Sequence, residues 1–341
     1  MIGTRSIASL VLLLFFYPPL LRGAENEIFP ANAKLETLYT GAVLSEGASA
    51  APDGTIYFSD ITFTYISGMQ AGHIMKYDPK TGKTTVFRSP SGMSNGIKFD
   101  AQGRMVVAEG ADYGGRRVTR TDMKTGKSEI LAALYEGKPL NSPNDLTIDE
   151  KGRIYFSDPR YLGDEPVEQP VQAVYRIDPD RSLHRIITDA GKPNGVCVSP
   201  DQKTLYVVSN ENGTTGMFRI PAGTPLHKGT MALLAYDLNS DGTAKLRQTL
   251  NDYAPEDGPD GLVTDSEGNL YVAIRAVSRP GIYVYNPQGK ELARIPTTVL
   301  PTNVGFGRGV ERSTLYVTAG GSLYRIQTKK SGYELPAQSS P

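Results

Sequence analysis

One sequence frame recurs six times along the chain, and this repeat limits the possible folds more than any other feature. The copy at 143–158 reads PNDLTIDEKGRIYFSD. In it, Leu146 and Ile148 alternate with polar residues, Glu150 to Gly152 supplies a turn, and a second apolar run follows. Alternation with a period of two, interrupted by a glycine turn, is typical of a β-hairpin. The frame therefore predicts a strand, a tight turn and a second strand in every copy.

The spacing of the copies favours a β-propeller. Their first residues are Glu46, Asn95, Asn144, Asn194, Asp260 and Asn303. Successive copies are 49, 49, 50, 66 and 43 residues apart, at or around the period of about 40 to 50 residues of propeller blades. A second pair of β-rich segments follows the hairpin, as at 73–77 and 84–87. We therefore predict an all-β fold, a six-bladed β-propeller with four antiparallel strands in each blade.

The two ends of the chain predict how the ring closes. A strand-like segment at 33–40 precedes the first copy, whereas the last copy has only one such segment, 321–327, after its hairpin. We expect the N-terminal strand to complete the last blade. This assigns 25–330 to one propeller domain and 331–341, which is rich in Ser and Pro, to an unpaired C-terminal tail. The 66-residue interval predicts an elongated outer hairpin rather than an inserted domain.

Residues 1–24 have the pattern of a secretory signal peptide. Arg5 precedes an apolar run of about a dozen residues, and Gly23 and Ala24 end the segment. The run contains two prolines and is shorter than the roughly 20 residues that a membrane-spanning helix needs. We expect export, to the periplasm or the medium, and no membrane span after the signal is removed.

Charge and cysteine content exclude several classes of partner. Lys and Arg together number 36, as do Asp and Glu, so the formal net charge is zero. Nucleic acids and anionic membranes bind basic surfaces, so neither is an expected partner. Cys197 is the only cysteine, and it alternates with Val196 and Val198 in a strand pattern. We expect a monomer without a disulfide, in which Cys197 is a packed, unreactive thiol.

The first residues of the repeats are the strongest candidates for chemistry, because a propeller brings them together near its axis. Glu46, Asn144, Asn194 and Asp260, with Asn95 as a further candidate, all offer side-chain oxygens. Carboxylate and amide oxygens suit Ca²⁺, and other divalent cations such as Mg²⁺ or Mn²⁺ are alternatives. Zn²⁺ is also an alternative but is disfavoured, because no His or Cys accompanies these oxygens. The competing interpretation, that Asn or Asp before Gly is a turn residue, does not account for Glu46.

Several motifs together resemble the family of senescence marker protein, gluconolactonase and luciferin-regenerating enzyme, in particular its bacterial gluconolactonase-like branch. The motifs are Ser45-Glu46-Gly47, the run from Arg116-Arg117-Val118 to Asn141-Ser142-Pro143-Asn144-Asp145, Ser157-Asp158-Pro159-Arg160-Tyr161, Pro193-Asn194-Gly195 and Pro259-Asp260-Gly261. The resemblance covers about residues 40–325. It implies a six-bladed propeller with one divalent cation, usually Ca²⁺, in the central tunnel.

The resemblance also implies roles for individual residues. The metal ligands would be Glu46, Asn194 and Asp260, with Asn144 either a fourth ligand or a substrate contact. Asp260 would also be the general base. Ser142 stands where mammalian members carry an Arg, so their substrate contacts do not transfer to this chain.

We expect the long loops at 60–72 and 159–172 to form the rim of a substrate pocket. Candidate contacts to a sugar-like ring are Asn95, Asn141, Asn144, Tyr161, Arg117 and Tyr113, although ordinary loop and turn roles are equally compatible with them. The predicted function is an exported, Ca²⁺-dependent hydrolase of small-molecule sugar lactones. The alternatives are the same site acting on other lactones, aryl esters or phosphotriesters, and a non-catalytic sugar- or protein-binding propeller with a structural metal.

Overall fold

The computed structural model describes residues 27–69, 72–214 and 228–336, so the expected signal peptide at 1–24 lies outside the described residues. Six four-stranded antiparallel sheets form the blades of a propeller. Each innermost strand packs against the innermost strand of the next blade, and the sixth packs against the first. Within the described ranges, no helix is both long and apolar enough to cross a membrane.

The strands follow the predicted repeat. The first strand is β1, Glu36–Thr40. Blade 1 contains β2 (Ser45–Ala50), β3 (Ile56–Asp60), β4 (His73–Asp78) and β5 (Lys83–Arg88). Blade 2 contains β6 (Ser94–Phe99), β7 (Met105–Glu109), β8 (Arg117–Thr121) and β9 (Ser128–Ala132). A short hairpin, β10 (Leu134–Tyr135) and β11 (Lys138–Pro139), leads to blade 3.

The second half repeats the same order of strands. Blade 3 contains β12 (Leu146–Ile148), β13 (Ile154–Asp158), β14 (Ala173–Ile177) and β15 (Leu183–Ile187). Blade 4 contains β16 (Pro193–Val198), β17 (Thr204–Asn210), β18 (Met231–Leu238) and β19 (Ala244–Asp252). Blade 5 contains β20 (Pro259–Thr264), β21 (Leu270–Ile274), β22 (Gly281–Tyr285) and β23 (Glu291–Pro296). Blade 6 contains β24 (Pro301–Phe306), β25 (Thr314–Ala319) and β26 (Ser322–Gln327).

The ring closes as predicted, because β1 pairs antiparallel with β26 and becomes the outer strand of blade 6. Glu36 lies opposite Arg325, and their side chains form an ion pair with a Nε–Oε2 distance of 2.8 Å. Within the described part of the long interval, β18 and β19 form an extended outer hairpin, since both strands are longer than the outer strands of the other blades.

The prediction of an unpaired C-terminal tail is wrong for its first residues. Gly332 forms an isolated β-bridge with Asp265, and the backbone N–H of Ser266 donates to the carbonyl oxygen of Ser331. The hydroxyl of Tyr333 donates to Glu150 Oε1 at 2.6 Å. The backbone of the β20–β21 turn thus pairs with the first residues of the tail, and the Ser- and Pro-rich composition of the tail gives no sign of this pairing. The segment crosses from blade 5 to blade 3 and lies over one end of the central channel.

The innermost strands approach one another so closely that glycine follows most repeat-start residues. Gly47 has a φ of 62°, and a Cβ there would lie 2.1 Å from the carbonyl oxygen of Asn95 in blade 2. A Cβ on Gly195 would lie 2.4 Å from the carbonyl oxygen of Asp260 in blade 5. These glycines are therefore required by strand-to-strand contact around the axis.

Candidate active site

A cavity of about 190 Å³ opens at the end of the channel where the innermost strands begin. It is lined by Leu44, Glu46, Ile61, Phe63, Tyr65, Asn95, Asn144, Tyr161, Leu162, Asn194, Asn210, Asn212, Thr214, Asp260 and Arg275. All four predicted metal ligands are therefore brought to one place, together with Asn95 and Tyr161. The loops at 60–72 and 159–172 contribute to its wall as predicted.

Irregularities in the innermost strands aim these side chains at the axis. The pairing of β2 with β3 shifts register between Glu46 and Ser49, and that of β20 with β21 shifts between Pro259 and Leu262. A bulge of this kind re-aims a side chain that a regular strand would direct elsewhere. The interpretation of the Asn-Gly and Asp-Gly pairs as turns is thus wrong for Asp260, which lies within a strand.

Two buried carboxylates line this cavity. Glu46 is 4% and Asp260 is 7% exposed. Burial, followed by the charges of Asp260 and Asp145, raises the pKa of Glu46 well above its ordinary value. Burial raises the pKa of Asp260 to about 6, and Arg275 opposes that increase. Crowding like charges in a desolvated space disfavours their ionised forms, so this arrangement favours a bound cation.

Asp260 is held on both sides by polar neighbours. Its Oδ2 accepts a hydrogen bond from Arg275 Nη1 at 3.2 Å. The amide of Asn194 also lies within hydrogen-bonding reach and lowers the pKa of Asp260. The position of the carboxylate is therefore fixed before any ligand binds.

Tyr161 connects two other residues of the cavity. Its hydroxyl accepts from Asn194 Nδ2 at 3.3 Å and donates to the carbonyl oxygen of Asn210 at 3.1 Å. Beneath the ring, the buried Lys192 places Nζ at 4.2 Å from the ring centroid, and burial lowers the pKa of Lys192 to about 8. Tyr161 is thus positioned from below by a cation and from the side by an amide.

A second layer of polar side chains lies deeper in the channel. Asp145 is 1% exposed, and its Oδ2 accepts from Asn303 Nδ2 at 3.5 Å. Asn303 also donates to the carboxylate of Glu46. The positive charge of Lys98 lies close enough to Asp145 to lower the pKa of that carboxyl, which burial raises. This layer supports Glu46 from below and carries its own balancing cation.

The structure does not bring Asn141, Arg117 or Tyr113 to the cavity. Asn141 is fully buried, and its side-chain Nδ2 donates to the carbonyl oxygens of Asp158 and Val171. Arg117 pairs with Glu109 with a Nε–Oε2 distance of 2.6 Å. Tyr113 is exposed and, with Arg117, lines a separate depression on blade 2. The side chain of Asn141 therefore connects backbone segments of neighbouring loops, and Arg117 and Tyr113 lie outside the axial cavity.

Sequence reasoning missed Arg275 and Asn210. Both follow or end the second strand of their blades, rather than beginning the first strand. The signal that would have found them is positional, because loops after second strands open on the same face as the repeat-start residues.

The donor set fits a hard divalent cation. Asn95 Oδ1 is buried and has no hydrogen-bond partner among the described residues. Amide and carboxylate oxygens are the ligands that Ca²⁺ prefers. In the described part of the chain, no three or more His, Cys, Asp or Glu side chains cluster as a metal site. Any metal would therefore depend on two carboxylates together with asparagine oxygens.

Comparison with known proteins identifies the family of the chain that forms this cavity. Residues 44–321 match the SMP-30/Gluconolactonase/LRE-like region, which is most of the chain and includes all six repeat-start residues. The chain belongs to this family. The recognition of the family from its motifs is thereby confirmed.

Similarity to individual proteins extends over most of the chain. A gluconolactonase of Zymomonas mobilis is 29% identical over 308 residues, which cover 82% of this chain and 79% of that protein. The structure of a gluconolactonase from Xanthomonas campestris is 29% identical, covers 87% of this chain and 90% of that one, and has a TM-score of 0.72. A calcium-binding regucalcin from Agrobacterium tumefaciens shares the fold with a TM-score of 0.68 at 19% identity, covering 90% of this chain and 98% of that one.

Proposed function

We propose that this protein is a hydrolase of sugar lactones that depends on a divalent cation, with Ca²⁺ the favoured ion. The observation that carries the proposal is the pair of buried carboxylates, Glu46 and Asp260, within one cavity lined by three asparagines at equivalent repeat positions. Similarity to a gluconolactonase of Zymomonas mobilis supports the reaction class. The small volume of the cavity suits a single ring.

Glu46, Asn144, Asn194 and Asp260 would hold the cation. When bound, the cation supplies Lewis-acid polarisation of the lactone carbonyl. The chain itself supplies the remaining functions. Asn95 lines the cavity beside these ligands, and its unpaired Oδ1 is available to the cation or to a ring hydroxyl group. The hydroxyl of Tyr161 already donates to Asn210, so towards a substrate it would act as an acceptor. Leu44, Ile61 and Phe63 contribute apolar surface to the cavity lining.

Asp260 is the candidate general base. The oxygen of a water molecule attacks the carbonyl carbon, and the proton of that water passes to an Asp260 oxygen. The bond from the carbonyl carbon to the ring oxygen then breaks, and the proton returns to the leaving oxygen to give a hydroxy acid. In the absence of a cation, burial raises the pKa of Asp260 to about 6. A bound cation would lower that pKa and weaken Asp260 as a base, so this role depends on rapid return of the proton to the leaving oxygen.

The first test is hydrolysis of D-glucono-1,5-lactone by protein lacking residues 1–24, followed with a pH indicator. Activity should disappear on addition of EDTA and return with excess Ca²⁺. Hydrolysis no faster than the spontaneous reaction, tested also with 1,4-lactones, would refute the proposed activity. Hydrolysis that EDTA leaves intact would refute the dependence on a cation.

A non-catalytic role predicts a different pattern. If the cation only braces the channel, Ca²⁺ raises the melting temperature but no lactone or aryl ester is turned over. We further propose export from the cell, supported by the sequence pattern of residues 1–24. Fractionation of the native host, with immunoblotting for the shortened protein, tests this point.

A further inference from the structure

Arg275 is a positively charged residue of the cavity that does not belong to the sequence repeat. It follows β21, lines the cavity, and its side chain is 24% exposed. Its Nη1 donates to Asp260 Oδ2 at 3.2 Å and to the carbonyl oxygen of Pro301 at 3.3 Å. A guanidinium carries five N–H donors in a planar fork. Among the described residues, acceptors are found only for Nη1, so Nε and Nη2 are available to a ligand.

Once a divalent cation binds, the charges around the cavity leave one net positive charge, that of Arg275. The two negative charges of Glu46 and Asp260 would then balance the cation. Deeper in the channel, Asp145 is already close to Lys98, and Lys192 beneath Tyr161 lies near the opposite charge of Glu211. One positive charge, that of Arg275, remains beside the space that a substrate occupies. A site with this charge attracts an anion more strongly than a neutral molecule.

A guanidinium can bind a carboxylate or a phosphate through two hydrogen bonds, and the cavity of about 190 Å³ favours the smaller carboxylate. The parallel N–H groups of the guanidinium match the two oxygens of a carboxylate, whereas a neutral hydroxyl group offers one acceptor oxygen. A simple sugar lactone such as D-glucono-1,5-lactone has no carboxylate before its ring opens. A monolactone of an aldaric acid keeps one free carboxylate at the end of the molecule away from the ester.

We propose that Arg275 selects lactones that carry a free carboxylate, with monolactones of aldaric acids as the substrate class. This inference rests on the proposed lactone hydrolysis and specifies its substrate. Arg275 acts as a specificity-determining residue that binds the remote carboxylate, while the ester lies beside Asp260.

A matched pair of substrates tests the inference. D-galactono-1,4-lactone and D-galactaro-1,4-lactone have the same ring and differ at C6, where the second carries a carboxylate. Wild-type protein should show a kcat/KM at least tenfold higher for the anionic lactone. In R275M the ratio of the two kcat/KM values should fall at least tenfold, and R275K should lie between them. R279M removes a charge from the same exposed loop, outside the cavity lining, and should keep the wild-type ratio.

A binding measurement separates this inference from the proposed activity. Calorimetry in excess Ca²⁺ should show D-galacturonate binding to wild-type protein at least tenfold more tightly than D-galactose, which has the same ring without the carboxylate, with the difference lost in R275M. If wild-type protein hydrolyses no lactone but keeps this difference, the activity fails and the carboxylate site stands. Equal substrate ratios in wild type and R275M, with both proteins folded by their melting curves, would overturn the inference.

Discussion

Replacing Asp260 by Asn should stabilise the metal-free protein while removing its function. The pKa of Asp260 is raised from 3.8 to about 6 by burial. Because one pH unit corresponds to about 1.36 kcal/mol, the ionised carboxylate costs the folded state roughly 3 kcal/mol at pH 8. The neutral amide of Asn avoids this cost. The pKa of about 6 already includes the favourable pair with Arg275, so losing that pair does not reduce the gain a second time. We expect a net gain of about 1 to 3 kcal/mol.

Calcium should reverse the order of stabilities. Ca²⁺ at about 1,000 times its dissociation constant stabilises a folded protein by about 4.1 kcal/mol, which exceeds the gain expected from the substitution. Wild-type protein should gain this amount, whereas D260N lacks one of the two ligand charges and should gain little. Thermal melts of both proteins in EDTA and in Ca²⁺, with lactone hydrolysis measured on the same samples, give all four stabilities and both rates.

A matched control carries the same substitution at another buried carboxyl. Asp158 is fully buried, and burial raises its pKa to about 7, but it accepts hydrogen bonds from the backbone of Asn141 and Ser142 rather than lining the cavity. D158N should therefore keep the calcium response of wild-type protein. A D260N protein that is less stable than wild type in EDTA, or that still hydrolyses lactone at the wild-type rate, would refute this reasoning.

Three further predictions concern the buried carboxyls, Tyr161 and the C-terminal segment. Burial raises the pKa values of Asp260 and Asp158, so in EDTA these carboxyls contribute stability that is present at low pH and lost as the pH rises through about 6 to 7. The melting temperature in EDTA should therefore fall from pH 5 to pH 8, and the rise in melting temperature caused by Ca²⁺ should be larger at pH 8. Tyr161→Phe removes the hydroxyl that orients Asn194, so calorimetry should show Ca²⁺ binding weakened about tenfold, and unchanged affinity would contradict that role. Deleting 331–341 removes the contact of Tyr333 with Glu150, so we expect a loss of about 1 to 3 kcal/mol in urea unfolding without loss of hydrolysis.

The blades and the repeat-start residues were predictable because both depend on local sequence. Alternation and a glycine turn specify each hairpin, and the repeat then places Glu46, Asn144, Asn194 and Asp260 in equivalent positions around one axis. Glycine at positions such as 47 and 195 marks the close approach of neighbouring blades, which the turn interpretation did not include. The scaffold of the site was therefore readable from spacing.

The loops were not predictable to the same degree, because the direction of a loop side chain depends on contacts far away in sequence. Tyr113 adopts a positive φ of 63°, and its backbone N–H donates to Glu165 at 2.7 Å, 52 residues further on. Tyr113 and the nearby Arg117 therefore line the separate depression on blade 2 rather than the axial cavity. Arg275 was missed for the converse reason, since a single arginine at a strand end has no repeat to mark it.

The distribution of charge around the ring explains how a repeated scaffold produces one directional site. Glu46 begins the core strand of blade 1 and Asp260 that of blade 5, and these blades flank blade 6, where Asn303 donates to Glu46. The opposite side, blades 2 to 4, presents the neutral amides of Asn95, Asn144 and Asn194. At the level of the repeat-start residues, negative charge is thus confined to one side of the axis and the neutral amides lie on the other, with Asp145 and Lys98 deeper in the channel. Six equivalent strands fix where side chains lie, and acidic residues in two of them give the cavity its polarity.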